Sequence, residues 1–146
     1  MNLGEAVRRR IAEMDSVLPG SIGAMLQFQL TDFDPETNDI TMTCRTMPWM
    51  RNFAGTLHGG LCAAVLDQAM GFVSHCLKPG EGTAPTVQLS VSYHRPLRPG
   101  EAVIVKVHVV SVTRSLANLT AEAFQASAPE KICLSGSGIY FIKEKS

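Results

Sequence analysis

Asn52, His58, Gly59, Gly60 and Asp67 stand close together in the stretch Asn52-Phe-Ala-Gly-Thr-Leu-His58-Gly59-Gly60 that runs on through Leu61-Cys-Ala-Ala-Val-Leu66 to Asp67. Gly59 and Gly60 fall where a loop gives way to an apolar helical pattern. A helix start exposes unpaired N–H groups and a partial positive charge, which can hold an anion or stabilise an oxyanion. Two glycines also disfavour helix by roughly 1 kcal/mol each relative to alanine. Either the backbone there approaches a reacting group, or the glycines merely let the loop turn beneath a strand. Asp67 is the second marked residue, because a carboxylate in an apolar helix is costly to bury unless paired or hydrogen-bonded. It could act as a general base or nucleophile. Alternatively, Asp67, Gln68 and His75 form a narrow exposed stripe. His58 has a structural alternative too, with its ring bonding the loop at Asn52. On one helix His58 and Asp67 would lie about 13.5 Å apart along the axis and on opposite faces. They cannot form an intrachain dyad. If both act, the site combines the helix start of one chain with Asp67 of another.

Other chemistries find less support. Cys44, Cys62, Cys76 and Cys133 are scattered, with no C-x-x-C pair, and read as small buried hydrophobes in a reducing compartment. Cys62, near the helix start, is the best placed of them for a catalytic thiol, yet nothing marks it for activation. His58, His75, His94 and His108 lack zinc-ligand spacing, so no metal is expected. Lys plus Arg and Asp plus Glu number 13 each, a balance that offers no field for a phosphate backbone or an anionic membrane. No nucleic acid is expected as a partner. No apolar run approaches the roughly 18 residues of a membrane span, and the N-terminus lacks a signal-like apolar core. A cytoplasmic, non-membrane protein is the expectation.

The elements that must position these residues follow from periodicity. Residues 2–18 predict an amphipathic helix, opened by the Asn2/Glu5 capping pair and stopped by Pro19-Gly20. Residues 22–33 and 39–46 predict two strands of a hairpin, and 47–56 an irregular loop. Residues 58–77 predict a second helix, apolar nearly all round and so in need of enclosure. Strands are expected at 87–93, 102–112, 116–126 and 132–142, with short connections that favour antiparallel neighbours. An α+β fold follows, with a curved antiparallel sheet wrapped around a long central helix in a single domain over 1–146. The run Val103-Ile-Val-Lys-Val-His-Val-Val110 should leave the other sheet face partly apolar, which favours self-association.

The pattern Asn52-x5-His58-Gly59-Gly60-x6-Asp67, followed by Tyr93-His-Arg-Pro-Leu-Arg-Pro-Gly-Glu101, resembles the hotdog-fold acyl-CoA thioesterases of the PaaI-like group. The resemblance implies a hotdog fold and an acyl-CoA or aroyl-CoA substrate, with coenzyme A as part of the substrate and no separate cofactor. It implies a thioester carbonyl held by the Gly59 N–H, with Asn52 and His58 arranging loop and substrate and Gly60 and Gln68 beside it. Asp67 of a partner chain would activate water or attack directly, in a homodimer or dimer of dimers with the site at the subunit interface. Several relatives place a serine or threonine on the strand opposite the helix, where Thr86, Gln88 or Ser90 stands here. Arg95, Arg98 and Arg114 are candidates for the CoA phosphates. Competing readings are a hydratase or dehydratase of the same fold and a non-catalytic acyl-CoA-binding module.

Overall fold

The computed structural model describes residues 1–78 and 82–143. Helix α1 (Leu3–Val17) opens as its sequence requires: the Asn2 side chain accepts the Glu5 N–H at 2.8 Å, and the Glu5 carboxylate accepts the Asn2 N–H at 2.9 Å. Residues 22–33 do not form one strand. Ser21 caps a single helical turn, α2 (Ile22–Met25), by accepting the Ala24 N–H at 3.3 Å, and Gln27 turns the chain with φ of 48° before β1 (Gln29–Asp34) begins. A serine beside free N–H groups offers the backbone a local alternative to a sheet ladder, and here it prevails. β2 (Asp39–Arg45) completes the hairpin.

Helix α3 (Gly59–His75) lies against a sheet that also contains β3 (Thr86–Tyr93), β4 (Ala102–Val112), β5 (Leu116–Gln125) and β6 (Ile132–Phe141). The order is β1-β2-β4-β5-β6-β3, with every neighbouring pair antiparallel. β3 therefore does not pair with β4, its successor in the chain, but joins β6 at the far edge. The connection is fastened by buried Leu97, whose carbonyl accepts the Leu57 N–H at 2.8 Å. Alternation along β4 and β5 directs Val103, Val105, Val107, Ala117, Leu119, Ala121 and Ala123 inward. They enclose Val65, Leu66, Ala69, Met70 and Val73 of α3. Ala63, Ala64, Asp67 and Gly71 remain only half-buried in the single chain, so α3 is not enclosed on every side. This is the hotdog arrangement that the sequence pattern implies. Among the described residues, no helix is long and apolar enough to cross a membrane.

Close approach of helix and sheet is set by glycine on β6. A Cβ on Gly136 would stand 2.7 Å from the Ser90 carbonyl oxygen and 2.9 Å from Leu66 Cδ1. Backbone cannot yield cheaply, so Gly136→Ala should destabilise the fold by about 1–3 kcal/mol. Thermal unfolding checks this, and an unchanged melting temperature would contradict the close packing described here.

Candidate active site

The chemistry-bearing residues form two separate groups in one chain. The first is built around the entrance to α3. The Asn52 side-chain oxygen accepts the N–H groups of Ala54 and Thr56, each at 3.0 Å, and its amide donates to Thr56 Oγ1 at 2.8 Å. Gly55 completes that turn at φ of 84°, a conformation that favours glycine. The loop is then pinned by the His58 N–H, which donates to the Met50 carbonyl at 2.8 Å. His58 is the helix N-cap: its Nδ1 accepts the Gly60 N–H at 3.0 Å, which puts the ring proton on Nε2. The ring does not bond Asn52; the asparagine oxygen and one of its amide N–H groups are engaged within its own turn.

Gly59 is thus the first helical residue, and its N–H has no acceptor among the described residues. Tyr93 reaches across from β3 to donate its hydroxyl to the Gly59 carbonyl at 2.6 Å. A cleft of about 310 Å³ opens here, bordered by Asn52, Gly59, Cys62, Tyr93 and Arg95. Cys62 is 3% exposed, its Sγ lies 3.7 Å from the Leu57 carbonyl, and burial pushes its thiol up to about 11. That is the opposite of activation.

The second group surrounds Asp67. Thr86 Oγ1 and the Tyr140 hydroxyl both donate to Asp67 Oδ1 at 2.8 Å. Tyr140 is 1% exposed, and burial first, then the charge of Asp67, raises its pKa, so it stays a donor. With Oδ1 doubly occupied, Oδ2 has no partner among the described residues and is left for an incoming group. Asp67, Gln68 and His75 do not form an exposed stripe. All three are half-buried and border one pocket of about 300 Å³ between α1 and α3. The Gln68 amide also packs over Gly23, where a Cβ would stand 3.1 Å away.

Strict alternation would put Thr86, Gln88 and Ser90 on one face of β3. A bulge intervenes: Thr86 pairs with Tyr140 but Gln88 pairs with Ile139, so one residue of β3 is extra. Thr86 consequently turns inward to Asp67. Gln88 sits on the outer face with Val110, Asn118 and Ile139, and the structure brings it to neither group. Ser90, opposite Ser137, shares that outward placement.

Gly59 and Asp67 are eight residues apart on α3, a rise of about 12 Å. The chain brings Asn52, His58, Gly59 and Gly60 to the start of α3 and Asp67, Gln68 and Thr86 to its middle. Tyr140 and Tyr93 escaped the sequence reading. A hydroxyl inside the apolar run Ile139-Tyr-Phe-Ile142 calls for a buried partner, as does a carboxylate inside α3. Pairing those two demands is the signal that was available for Tyr140.

Comparison with known proteins agrees with this architecture. The family model of the thioesterase superfamily matches residues 54–131. Human acyl-coenzyme A thioesterase 13 is 32% identical over 66 residues, a stretch that covers 45% of this chain and 46% of that protein. The chain thus spans about half the length of the curated relatives it matches. Zebrafish thioesterase superfamily member 2 superposes with a TM-score of 0.78 at 17% identity, over 98% of this chain and 99% of that one. A Streptococcus mutans protein solved bound to acetyl CoA superposes with a TM-score of 0.68 at 19% identity, over 81% of this chain and 90% of that one. With the matched segment running from the loop before α3 to the turn before β6, this chain belongs to the thioesterase superfamily.

Proposed function

We propose that the protein hydrolyses an acyl-CoA thioester at a site shared between two chains, with Gly59 from one and Asp67 from the other. The observation that carries this reading is the division of the chemistry: an unpaired N–H at the start of α3, and about 12 Å along the same helix a carboxylate with one oxygen anchored and the other free. In this reading the Gly59 N–H holds the thioester carbonyl, with Asn52, His58 and Gly60 shaping the loop that presents it. Asp67 Oδ2 removes a proton from water as the water oxygen bonds to the carbonyl carbon. The oxyanion collapses, the C–S bond breaks, and its electron pair leaves on the coenzyme A sulfur, which takes up a proton. Membership of the superfamily and the acyl-CoA activity named for the human relative support the substrate class.

Two features favour a homodimer. β3 is an edge strand, with Val87 and Tyr93 more than half exposed, and a second β3 beside it would continue the sheet. The half-buried Ala63, Ala64 and Asp67 would then meet the partner's α3. Exposed Val110, Val112, Leu116 and Phe141 suit a further pairing of dimers. Arg95 borders the Gly59 cleft, where its Nη1 donates to the Ile132 carbonyl at 2.8 Å, and is the best placed arginine for a CoA phosphate; Arg98 does not border the cleft and is engaged by Glu101 at 2.7 Å and Ser127 at 2.9 Å. Four free cysteines suit a reducing cytoplasm.

Asp67→Asn should keep the hydrogen-bonded carbonyl oxygen but lose the base, and thiol release from acyl-CoA should fall by about 10²-fold or more. Full activity in a folded variant would overturn the role. Gly59→Pro isolates the other half. Proline is favoured at the first helical position, and His58, with φ of −56° and ψ of 134°, already has the backbone a residue before proline prefers. The substitution replaces the N–H by a ring carbon while keeping the helix start, and the expected loss is about 10²–10³-fold in turnover. When the two inactive variants are dissociated and reassembled together, mixed dimers should regain one working site. No recovery in verified mixed dimers would place Gly59 and Asp67 of the working site in a single chain.

A further inference from the structure

The pocket beside Asp67 has a polar far end that thioester hydrolysis leaves unused. Arg10, Met14 and Leu18 recur every fourth residue along α1, and Asp67, Gly71 and His75 do the same along α3. The two rows wall a corridor that follows α3 for about 12 Å from Asp67 to His75. Its middle is apolar, with Met14, Phe72 and Ala84 in the walls, and its volume is about 300 Å³. Gly71 is at the midpoint. Nothing lies within 4 Å of where its Cβ would be, so no neighbour demands glycine there. An interior glycine costs α3 roughly 1 kcal/mol relative to alanine. What its missing side chain leaves is clear passage along the corridor.

The far end carries a cation. Arg10 is half-buried beside His75 and the Cys76 thiol, a weak acceptor, and among the described residues it makes no salt bridge; Glu13, one turn along, contacts Arg9 at 3.5 Å instead. His75 is fixed by a 3.2 Å hydrogen bond from Nδ1 to the Gly82 carbonyl. Burial, with a smaller contribution from Arg10, lowers its pKa, so His75 is a neutral wall and Arg10 holds the charge. A half-buried guanidinium at the end of a groove with an apolar middle is matched best by a carboxylate, which can take two of its N–H groups. A simple alkyl chain of the same length would offer that cation no charged acceptor.

We propose that this corridor is the acyl pocket and selects an acyl group that ends in a carboxylate, with the thioester at Asp67, the chain passing Gly71 and the terminal carboxylate on Arg10. The proposal rests on the thioesterase reading above and adds the substrate class: CoA half-thioesters of dicarboxylic acids. Arg10 and Gly71 are specificity-determining residues; neither touches the reacting atoms.

The test compares kcat/KM for pairs of equal length, adipyl-CoA with hexanoyl-CoA and suberyl-CoA with octanoyl-CoA, and includes hydroxyl-ended 8-hydroxyoctanoyl-CoA and acetyl-CoA. At least one carboxylate-ended substrate should exceed its methyl-ended counterpart by about tenfold or more, the lower end of what a hydrogen bond to a charged group contributes. Arg10→Gln should erase that ratio, and Gly71→Leu should lower the ratio of suberyl-CoA to acetyl-CoA turnover by a similar factor. Equal or better use of the methyl- or hydroxyl-ended chains by the unmodified protein overturns the proposal, as does a preference that survives Arg10→Gln. Turnover that depends on Asp67 but shows no carboxylate preference sinks this inference alone. No turnover of any thioester sinks the hydrolase reading with it.

Discussion

A carboxylate inside an apolar helix is costly unless it is hydrogen-bonded or keeps a route to solvent, and in half-buried Asp67 one oxygen, Oδ1, is held by Thr86 and Tyr140 together while Oδ2 is left open. Those two donors come from β3 and β6, neighbouring strands far apart in sequence. The bond to Tyr140 is partly buried, so it counts for more than a surface contact of the same length. It ties α3 to β6, the strand next to the sheet edge, and fixes which carboxylate oxygen is left open. Register matters here as much as chemistry. Without the bulge between Thr86 and Gln88, Thr86 would point away from the helix and Asp67 would lose a donor.

The start of α3 solves a different problem. A helix start leaves several N–H groups without intrahelical partners. His58 satisfies that of Gly60 with its ring, while the Asn52 turn and the Met50 and Leu97 carbonyls hold the approaching loop rigid. One N–H, that of Gly59, is left over and faces a cleft. Preorganised donors act because they need no rearrangement when charge develops. The loop's many internal bonds supply that rigidity, and most of the residues between Asn52 and His58 serve it rather than any substrate.

The curled sheet makes both groups possible. Gly136 and Gly138 on β6 admit Leu66, Met70 and Tyr140 at distances where any Cβ would collide. Small residues on the sheet therefore set how deeply α3 sits, and depth decides whether Tyr140 can reach Asp67. On the other side α1 leaves a gap over Gly71 in place of a packed contact. Tight packing beneath the helix and open space above it are complementary parts of one site.

Periodicity alone located α1, α3 and five of the six strands to within a residue or two, because each buries one face and its apolar positions repeat accordingly. The capping pair Asn2 and Glu5 was equally legible, since its chemistry is local. So was the distance between His58 and Asp67, which follows from helical rise and already divided the site in two. The remainder depends on contacts between distant segments. Ser21 turned the start of an expected strand into a helical turn, and β3 bypassed β4 to pair with β6, a choice that connection length does not express. Only the tertiary structure decided that Thr86, rather than Gln88, faces Asp67, that Tyr140 is its second donor, and that Arg10 closes a corridor leading from it. Sequence fixes what each residue can do and which local pattern it favours. Which polar groups meet depends on strand register and helix depth, and those are settled by the packing of the whole chain.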